Sequence, residues 1–119
     1  MKNTLIIGAS NNPDRYAYRA AHMLKNTGHP IIPFGVKRGE VAGQKILNAF
    51  PKDADIDTIT LYINPRLQEQ YYQQILELHP KRIIFNPGTE NDELRDLAEE
   101  AGIETEYACT LVLLSSGQY

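Results

Sequence analysis

Short apolar runs alternate along the chain with segments in which apolar residues recur at helical spacing. The apolar runs at residues 3–8 and 30–34 predict two strands, and the β-branched and aromatic residues at 57–63 predict a third. We expect two further short strands at residues 81–85 and 103–107. Helical spacing predicts three helices, at residues 15–26, 65–78 and 91–101. Gly28 and Gly102 follow two of these helices as C-terminal caps, and Pro65 occupies the first turn of the other. The chain therefore alternates strands with helices.

This alternation predicts the fold. The connections between strands, at roughly 20 residues, are long enough for the crossovers that parallel strands require. We therefore expect an α/β fold in a single domain, residues 1–119, with a doubly wound five-stranded parallel sheet in the order 3-2-1-4-5. Residues 35–48 predict a loop with a short helix behind it, and residues 108–119 either pack on the body of the domain or join a partner.

The composition is that of an ordinary globular protein. The chain has 119 residues, of which 42% are hydrophobic and 23% are charged, so it is large enough to bury a core without a disulfide. Its single cysteine, Cys109, has no partner for an internal disulfide, and no apolar stretch approaches the roughly 18 residues that span a bilayer. The apolar run after Met1 is too short for a signal peptide. We expect a cytoplasmic protein that does not insert into a membrane.

Charge is unevenly distributed along the chain. The formal net charge is −3, but residues 1–50 carry +5 and residues 51–119 carry −8. Such asymmetry is typical of a basic half that meets an anionic partner, although a solvated surface on which the charges mix explains it equally well. No run of lysine or arginine interleaved with aromatic residues is present, and we therefore expect no nucleic-acid partner.

The first loop after a predicted strand, residues 8–15, has the features of a phosphate-binding turn. Ligands of doubly wound sheets bind at the carboxyl ends of strands where the order reverses, which the predicted order places beside strands one and four. Gly8 suits a tight turn, Ala9 and Ser10 allow close backbone approach, and Ser10 and Arg15 can bind phosphate oxygens. The alternative is a plain turn whose glycine serves packing only.

The second loop distinguishes between nucleotides. An NAD site needs an acidic residue about 20 residues after the glycine turn, to accept hydrogen bonds from the ribose hydroxyls. The second strand is instead followed by Gly35, Val36, Lys37 and Arg38. Two basic residues suit a ribose that carries an additional phosphate, as in NADP or coenzyme A, unless they are simply a solvated pair on the surface.

Residues with catalytic chemistry are sparse. Three histidines lie at helix or loop positions without an evident acidic partner: His22, His29 and His79. No group has the spacing of metal ligands, so we predict neither a metal site nor catalytic residues. Cys109 is interpreted as a small core residue, with a mixed disulfide to CoA as the alternative. Glu90 and Asp92 are interpreted as helix-capping residues, with an acid–base pair as the alternative.

Four segments together resemble a known family. They are Gly8-Ala9-Ser10 with Pro13 and Arg15, the stretch GVKRGEVAG at 35–43, Pro65 after the third strand, and AGIETEYACT at 101–110. In this order they resemble the small bacterial CoA-binding domain proteins, and also the nucleotide-binding domain of the succinyl-CoA synthetase α subunit. The resemblance covers nearly the whole chain.

The resemblance implies a Rossmann-like domain that binds CoA or an acyl-CoA across the strand ends. The pyrophosphate is then expected near Ser10, Pro13 and Arg15, and the adenosine 3′-phosphate near Val36 and Lys37. Asn64 and Pro65 supply further contacts, and Gly88 lies beside the pantetheine path. The full set of candidate cofactor-binding residues is Gly8, Ala9, Ser10, Pro13, Arg15, Gly35, Val36, Lys37, Asn64, Pro65 and Gly88.

The resulting hypothesis is a stand-alone binding module for a nucleotide-containing small molecule, without evident catalytic machinery. Such a module serves as a carrier, a sensor or the partner of another protein. One alternative is an NADP-dependent oxidoreductase domain, which shares the phosphate loop and Lys37. Another is an interaction protein without a ligand, which forms a homodimer through Tyr71, Tyr72 or residues 111–114.

Overall fold

Seven strands and five helices make up the computed structural model, which describes all 119 residues. The strands are β1 (Thr4–Ile7), β2 (Ile31–Phe34), β3 (Glu40–Val41), β4 (Gln44–Lys45), β5 (Thr58–Leu61), β6 (Arg82–Phe85) and β7 (Glu104–Tyr107). The helices are α1 (Tyr16–Asn26), α2 (Pro65–Gln68), α3 (Tyr72–Leu78), α4 (Asp92–Glu100) and α5 (Thr110–Ser115). A 3₁₀ turn, Glu69–Tyr71, separates α2 from α3, so the single helix predicted over 65–78 is interrupted.

The main sheet contains five parallel strands in the order β2-β1-β5-β6-β7. The α/β, Rossmann-like fold class is therefore confirmed, but the predicted order 3-2-1-4-5 is wrong. Counted along the chain, the sheet strands follow the order 2-1-3-4-5. The third sheet strand, β5, pairs with β1 rather than with β2, and places Thr58 opposite Thr4.

The link between β2 and β5 explains this order. Residues 35–57 contain no helix that would cover a crossover to the outer side of β2. Leu47 occupies that outer edge instead: its N–H donates to the Pro33 carbonyl at 2.8 Å, and its carbonyl accepts from the Gly35 N–H at 2.9 Å. The same link forms the β3–β4 hairpin, where a helix was predicted. With its outer edge covered, β2 cannot pair with β5, which adds to the other side of β1.

The two faces of the sheet bury separate cores. Every residue of β1, β5 and β6 is buried, as expected for parallel strands that are covered on both sides. Because side chains alternate along a strand, Leu5 and Ile7 join the core beneath α3 and α4, whereas Ile6 joins the core beneath α1. Both cores lie below the loops that leave the carboxyl ends of the strands, and they hold those loops in place.

The C-terminal segment packs on the body of the domain. Helix α5 lies against α1, and Tyr119 reaches the amino end of the sheet. There its hydroxyl bonds to Thr4 Oγ1, its ring meets the His29 ring edge-on at 4.9 Å, and the Arg82 guanidinium lies 4.5 Å from the ring centre. Of the two placements that the sequence left open for residues 108–119, the structure shows packing on the body. None of the helices combines the length and the apolar character needed to cross a membrane.

Candidate functional site

Two adjoining clefts open at the carboxyl ends of the strands. The chain leaves β1 toward β2 and later returns on the other side as β5, so the order reverses between β1 and β5 and not beside β6 as predicted. The first cleft, about 360 Å³, lies on the side of β2. The second, about 320 Å³, extends toward the loop after β6. Five residues line both clefts: Gly8, Ser10, Arg15, Tyr62 and Ile63.

Nine of the eleven candidate residues line these clefts. Those in the first cleft are Gly8, Ala9, Ser10, Arg15, Gly35, Val36 and Lys37. The second cleft includes Gly8, Ser10 and Arg15 again, together with Asn64 and Gly88. Pro13 and Pro65 line neither cleft, although each is a chain neighbour of lining loops. The clefts thus bring together loops that are far apart in the sequence, from the turn at Gly8 to the turn at Gly88.

Several other lining residues were not among the eleven candidates. They are Asn11, Asn12, Tyr62, Leu67 and Tyr71 in the first cleft, and Tyr16, Pro87 and Thr89 in the second. Tyr62 follows β5 directly, in a loop that the rule of ligand binding at strand ends selects, but it was not chosen as a candidate residue. Leu67 and Tyr71 carry no such signal, because they resemble core positions of a helix.

The first loop is shaped by close backbone contact. Gly8 has a φ of +94°, and a Cβ atom there would lie 2.8 Å from Ile63 Cγ2. The amides of Gly8 and Ala9 both donate to the Phe34 carbonyl, at 2.9 Å each. These two amides are therefore not free for a phosphate. The loop amides that have no protein acceptor are the next two, those of Ser10 and Asn11.

The start of α1 presents further free donors. Its N-cap residue, Arg15, makes no capping side-chain hydrogen bond, and the first turn contains no acidic residue. The amides of Tyr16 and Ala17 donate to no protein acceptor. Ser10 Oγ accepts from the Asn12 amide at 3.0 Å, which leaves its own O–H free to donate. Unsatisfied amides at the positive end of a helix dipole, next to an arginine, favour a bound anion.

The second loop is held by its backbone and leaves its side chains free. Gly35 packs so closely on the first loop that a Cβ atom would lie 2.6 Å from the Ala9 carbonyl oxygen. Asn48 Nδ2 donates to the carbonyls of Gly35 at 2.8 Å and Lys37 at 3.0 Å. The Val36 side chain is 87% exposed, and Lys37 makes no ion pair. Asn48 positions this loop, a role that nothing in its local sequence indicates.

A buried glutamine joins the walls of the second cleft. Gln68 is fully buried, and its Nε2 donates to the Ile63 carbonyl at 2.9 Å and to the Thr89 carbonyl at 2.8 Å. Its Oε1 accepts from Asn91 Nδ2 at 2.8 Å. Because these partners lie after β5 and after β6, one side chain fixes the spacing between two loops of the site. Its polar atoms are satisfied, which is the condition under which such a residue is tolerated in a core.

Tyr62 lies between the two clefts and has one unsatisfied atom. Its hydroxyl is buried without a hydrogen-bond partner, and burial raises the pKa of Tyr62 to about 12. The neighbouring polar atoms of Thr60 and Thr110 are bonded to each other, at 2.8 Å. A buried hydroxyl without a partner destabilises the folded state, because it loses its bonds to water and gains none.

Replacing Tyr62 with phenylalanine is expected to raise the free energy of unfolding by about 1 kcal/mol at pH 7, because the unsatisfied hydroxyl is removed. Because the pKa of Tyr62 is raised to about 12 in the folded state, the wild-type chain loses stability as the pH rises from about 10, the pKa of an unfolded tyrosine, toward 12. The variant should therefore lose less stability over that range. Urea unfolding at pH 7 and at pH 11 measures both effects. A loss of stability in the variant at pH 7 would show that the hydroxyl has a partner.

Other chemistry-bearing side chains lie outside the clefts. None of the three histidines lines either cleft, and no group of three or more His, Cys, Asp or Glu side chains is placed to hold a metal ion. Cys109 is a free, half-buried thiol at the N-cap of α5. Glu90 accepts a hydrogen bond from the Gly88 amide at 2.8 Å, and Asp92 accepts one from the Tyr107 hydroxyl. The charged side chains that line the clefts are therefore Arg15, which lines both, and Lys37, which lines the first.

Several known proteins are similar to this chain in sequence or in fold. A crystal structure of an uncharacterized protein shares 55% identity and a TM-score of 0.97, over 100% of this chain and 98% of that one. A hypothetical protein from Pyrococcus horikoshii OT3 shares 27% identity and a TM-score of 0.86, over 97% and 82%. The uncharacterized protein YneT of Bacillus subtilis (strain 168) is 22% identical over 102 residues, which are 85% of this chain and 76% of that protein.

The match to a protein family extends over almost the whole sequence. The family described as CoA binding domain matches residues 2–115, a span that includes all five strands of the sheet and every loop of the two clefts. The chain therefore belongs to the CoA binding domain family.

Proposed function

We propose that this protein is a stand-alone module that binds coenzyme A or an acyl-CoA across the two clefts. The observation that carries the proposal is the set of unsatisfied amides that lie beside Arg15 at an uncapped helix start, in the region where the two clefts meet. Family membership supplies the class of ligand. Each cleft also falls within the range of about 300–1,000 Å³ that is typical of small-molecule sites.

The pyrophosphate is assigned to the wall that both clefts share. The amides of Ser10 and Asn11, together with those of Tyr16 and Ala17, are the donors without a protein acceptor. Arg15 lines both clefts and adds a positive charge that pairs with phosphate oxygens. Pro13 lines neither cleft, so its proposed role is to shape the loop rather than to contact the pyrophosphate.

The adenosine end is assigned to the second loop. Lys37 lines the first cleft, and no acidic side chain lines it, which matches a phosphorylated ribose rather than a free diol. Val36 presents an exposed apolar side chain, which an adenine ring would cover. Burying such a side chain contributes to affinity, at about 25 cal/mol per Å² of apolar surface.

The role of the chain is to bind and orient its ligand. Coenzyme A supplies a thiol, or a thioester when it carries an acyl group. The residues of the clefts hold the phosphates through amides, a hydroxyl and cationic side chains, and Gln68 and Asn48 keep the surrounding loops in position. These roles require no proton transfer by the protein, in keeping with a binding module.

Titration of the wild-type chain and Lys37→Ala with CoA and dephospho-CoA tests the proposal. Wild type should bind CoA more tightly than dephospho-CoA. Lys37→Ala should weaken CoA binding about tenfold, because a charge-assisted bond to the 3′-phosphate is lost, and leave dephospho-CoA binding unchanged. Isothermal titration calorimetry gives all four dissociation constants.

A matched control separates a local contact from a general charge effect. Lys45→Ala removes an exposed lysine from the nearby β4 hairpin, outside both clefts, and should bind CoA as wild type does. Equal weakening of CoA and dephospho-CoA by Lys37→Ala would remove the assignment of the 3′-phosphate. Failure of wild type to bind CoA would refute the proposed function, and tighter binding of NADP than of CoA would favour a nicotinamide-nucleotide site.

A further inference from the structure

The outer wall of the second cleft, the segment Pro87–Thr89, offers a ligand no backbone donor. Pro87 has no N–H, and the Gly88 N–H donates to Glu90 Oε1 at 2.8 Å. The amide and the hydroxyl of Thr89 both donate to the Asn86 carbonyl, at 2.9 Å and 2.8 Å. An anionic group that reached this wall would therefore find no hydrogen bond to compensate its lost hydration.

The charged side chains at the second cleft, like its hydrogen-bond donors, are absent from the lining of the outer wall. Arg15 is the only charged residue among those that line it, and it belongs to the shared wall proposed for the pyrophosphate. At the outer wall, the exposed Glu90 carboxylate accepts the hydrogen bond from the Gly88 amide. A positive side chain therefore lies at the wall proposed for the pyrophosphate, and a negative one lies next to the far end of the cleft.

The remaining polar groups suit an uncharged chain that contains amides. Asn64 Oδ1 accepts from the Leu67 amide at 3.0 Å, so its Nδ2 is the free end of the side chain and can donate to a ligand carbonyl. The carbonyls of Pro87 and Gly88 accept no hydrogen bond from the protein and can accept from a ligand N–H. The pantetheine arm carries both kinds of group and no charge.

We infer that the second cleft selects CoA with a free thiol or an uncharged acyl group over CoA whose acyl group ends in a carboxylate, and that Glu90 determines this preference. The inference rests on the proposed function, because it assumes that the arm of CoA runs from the shared wall toward Gly88. A terminal carboxylate at that wall meets a like charge and no donor, whereas a thiol or an acetyl group meets neither penalty.

Glu90→Gln is an isosteric test of this assignment. The side-chain carbonyl oxygen of the introduced glutamine can still accept from the Gly88 amide, so the turn is preserved while the charge is removed. Glu93→Gln is the matched control, since it removes the same charge from the exposed first turn of α4 without touching the Gly88 amide. Titration calorimetry with CoA, acetyl-CoA and succinyl-CoA gives the dissociation constants of wild type and both variants.

In wild type, succinyl-CoA should bind about fivefold more weakly than CoA or acetyl-CoA, the upper end of what a like-charge contact near the surface contributes. Glu90→Gln should reduce this ratio to within about twofold, and Glu93→Gln should leave it unchanged. Equal binding of the three ligands by wild type, or equal relief by the two variants, would overturn the inference while CoA binding itself still supported the proposed function. Absence of CoA binding by the wild-type chain would instead refute the proposed function.

Discussion

Replacing Gly8 with alanine is expected to lower the free energy of unfolding by about 3 kcal/mol, the sum of a backbone and a packing effect. With a φ of +94°, Gly8 lies in a region that L-residues rarely adopt. Its missing Cβ is also required by the packing, since that atom would lie 2.8 Å from Ile63 Cγ2 and 3.0 Å from the Tyr62 carbonyl carbon. Tyr62 and Ile63 line both clefts, so the variant should also bind ligand more weakly.

Two further glycines separate the backbone effect from the packing effect. Gly102 has a φ of +80° but open space around it, so Gly102→Ala should lose about 1 kcal/mol from the backbone effect alone. Gly35 has no positive φ, yet its Cβ would lie 2.6 Å from the Ala9 carbonyl oxygen, so Gly35→Ala isolates the packing effect. Urea unfolding followed by circular dichroism gives the three values. If Gly8→Ala and Gly102→Ala lost equal stability, the close contact with Ile63 would be excluded as a cause.

Replacing Asn86 with alanine is expected to destabilise the chain by a similar amount, about 3 kcal/mol, because buried groups lose their partners. Asn86 is 2% exposed, and its Nδ2 donates to Thr60 Oγ1 at 2.7 Å and to the Leu61 carbonyl at 2.8 Å. Its Oδ1 accepts from the Thr110 amide at 2.8 Å. One side chain thereby joins β5, the loop after β6 and the start of α5, and its removal leaves the Thr110 amide buried and unsatisfied.

Asn64→Ala is the matched control for Asn86→Ala. Asn64 is exposed and its side chain accepts a single hydrogen bond, from the Leu67 amide, as the N-cap of α2. Loss of a cap should lower the free energy of unfolding by about 1 kcal/mol. Hydrogen exchange adds a local readout, since Asn86→Ala should reduce the protection of the Thr110 amide. Equal stability of the two variants would contradict the proposed importance of the buried network.

The elements of the sheet were predictable because their signals are local. The runs at 3–8 and 81–85 contain β1 and β6, which are buried on both faces, and the three consecutive apolar residues in each run were sufficient to identify them. Asn91 caps α4 through the Leu94 amide, an interaction between residues three apart. Such contacts form between residues that are close in the sequence, so they can be predicted from it. The loops that line the clefts followed from the strand ends by the same reasoning.

The strand order was not predictable, because it depends on which edge of a strand a distant segment occupies. Leu47 covers the outer edge of β2 through backbone bonds that any residue can make, so its side chain carries no signal. The set of free amides has the same origin. The Phe34 carbonyl accepts from the amides of Gly8 and Ala9, so the first amide of this loop without a protein acceptor is that of Ser10.

The sequence by itself determined the fold class and the loops that carry the candidate residues, since periodicity, caps and glycine turns act over a few residues. Only the tertiary structure decided the strand order, the place of the C-terminal helix and the side chains that hold the loops together. Gln68 and Asn48 are examples of the last group. Each bonds to carbonyls that become neighbours only when the chain folds, since a hydrogen bond across 21 or 13 residues leaves no periodic trace in the sequence.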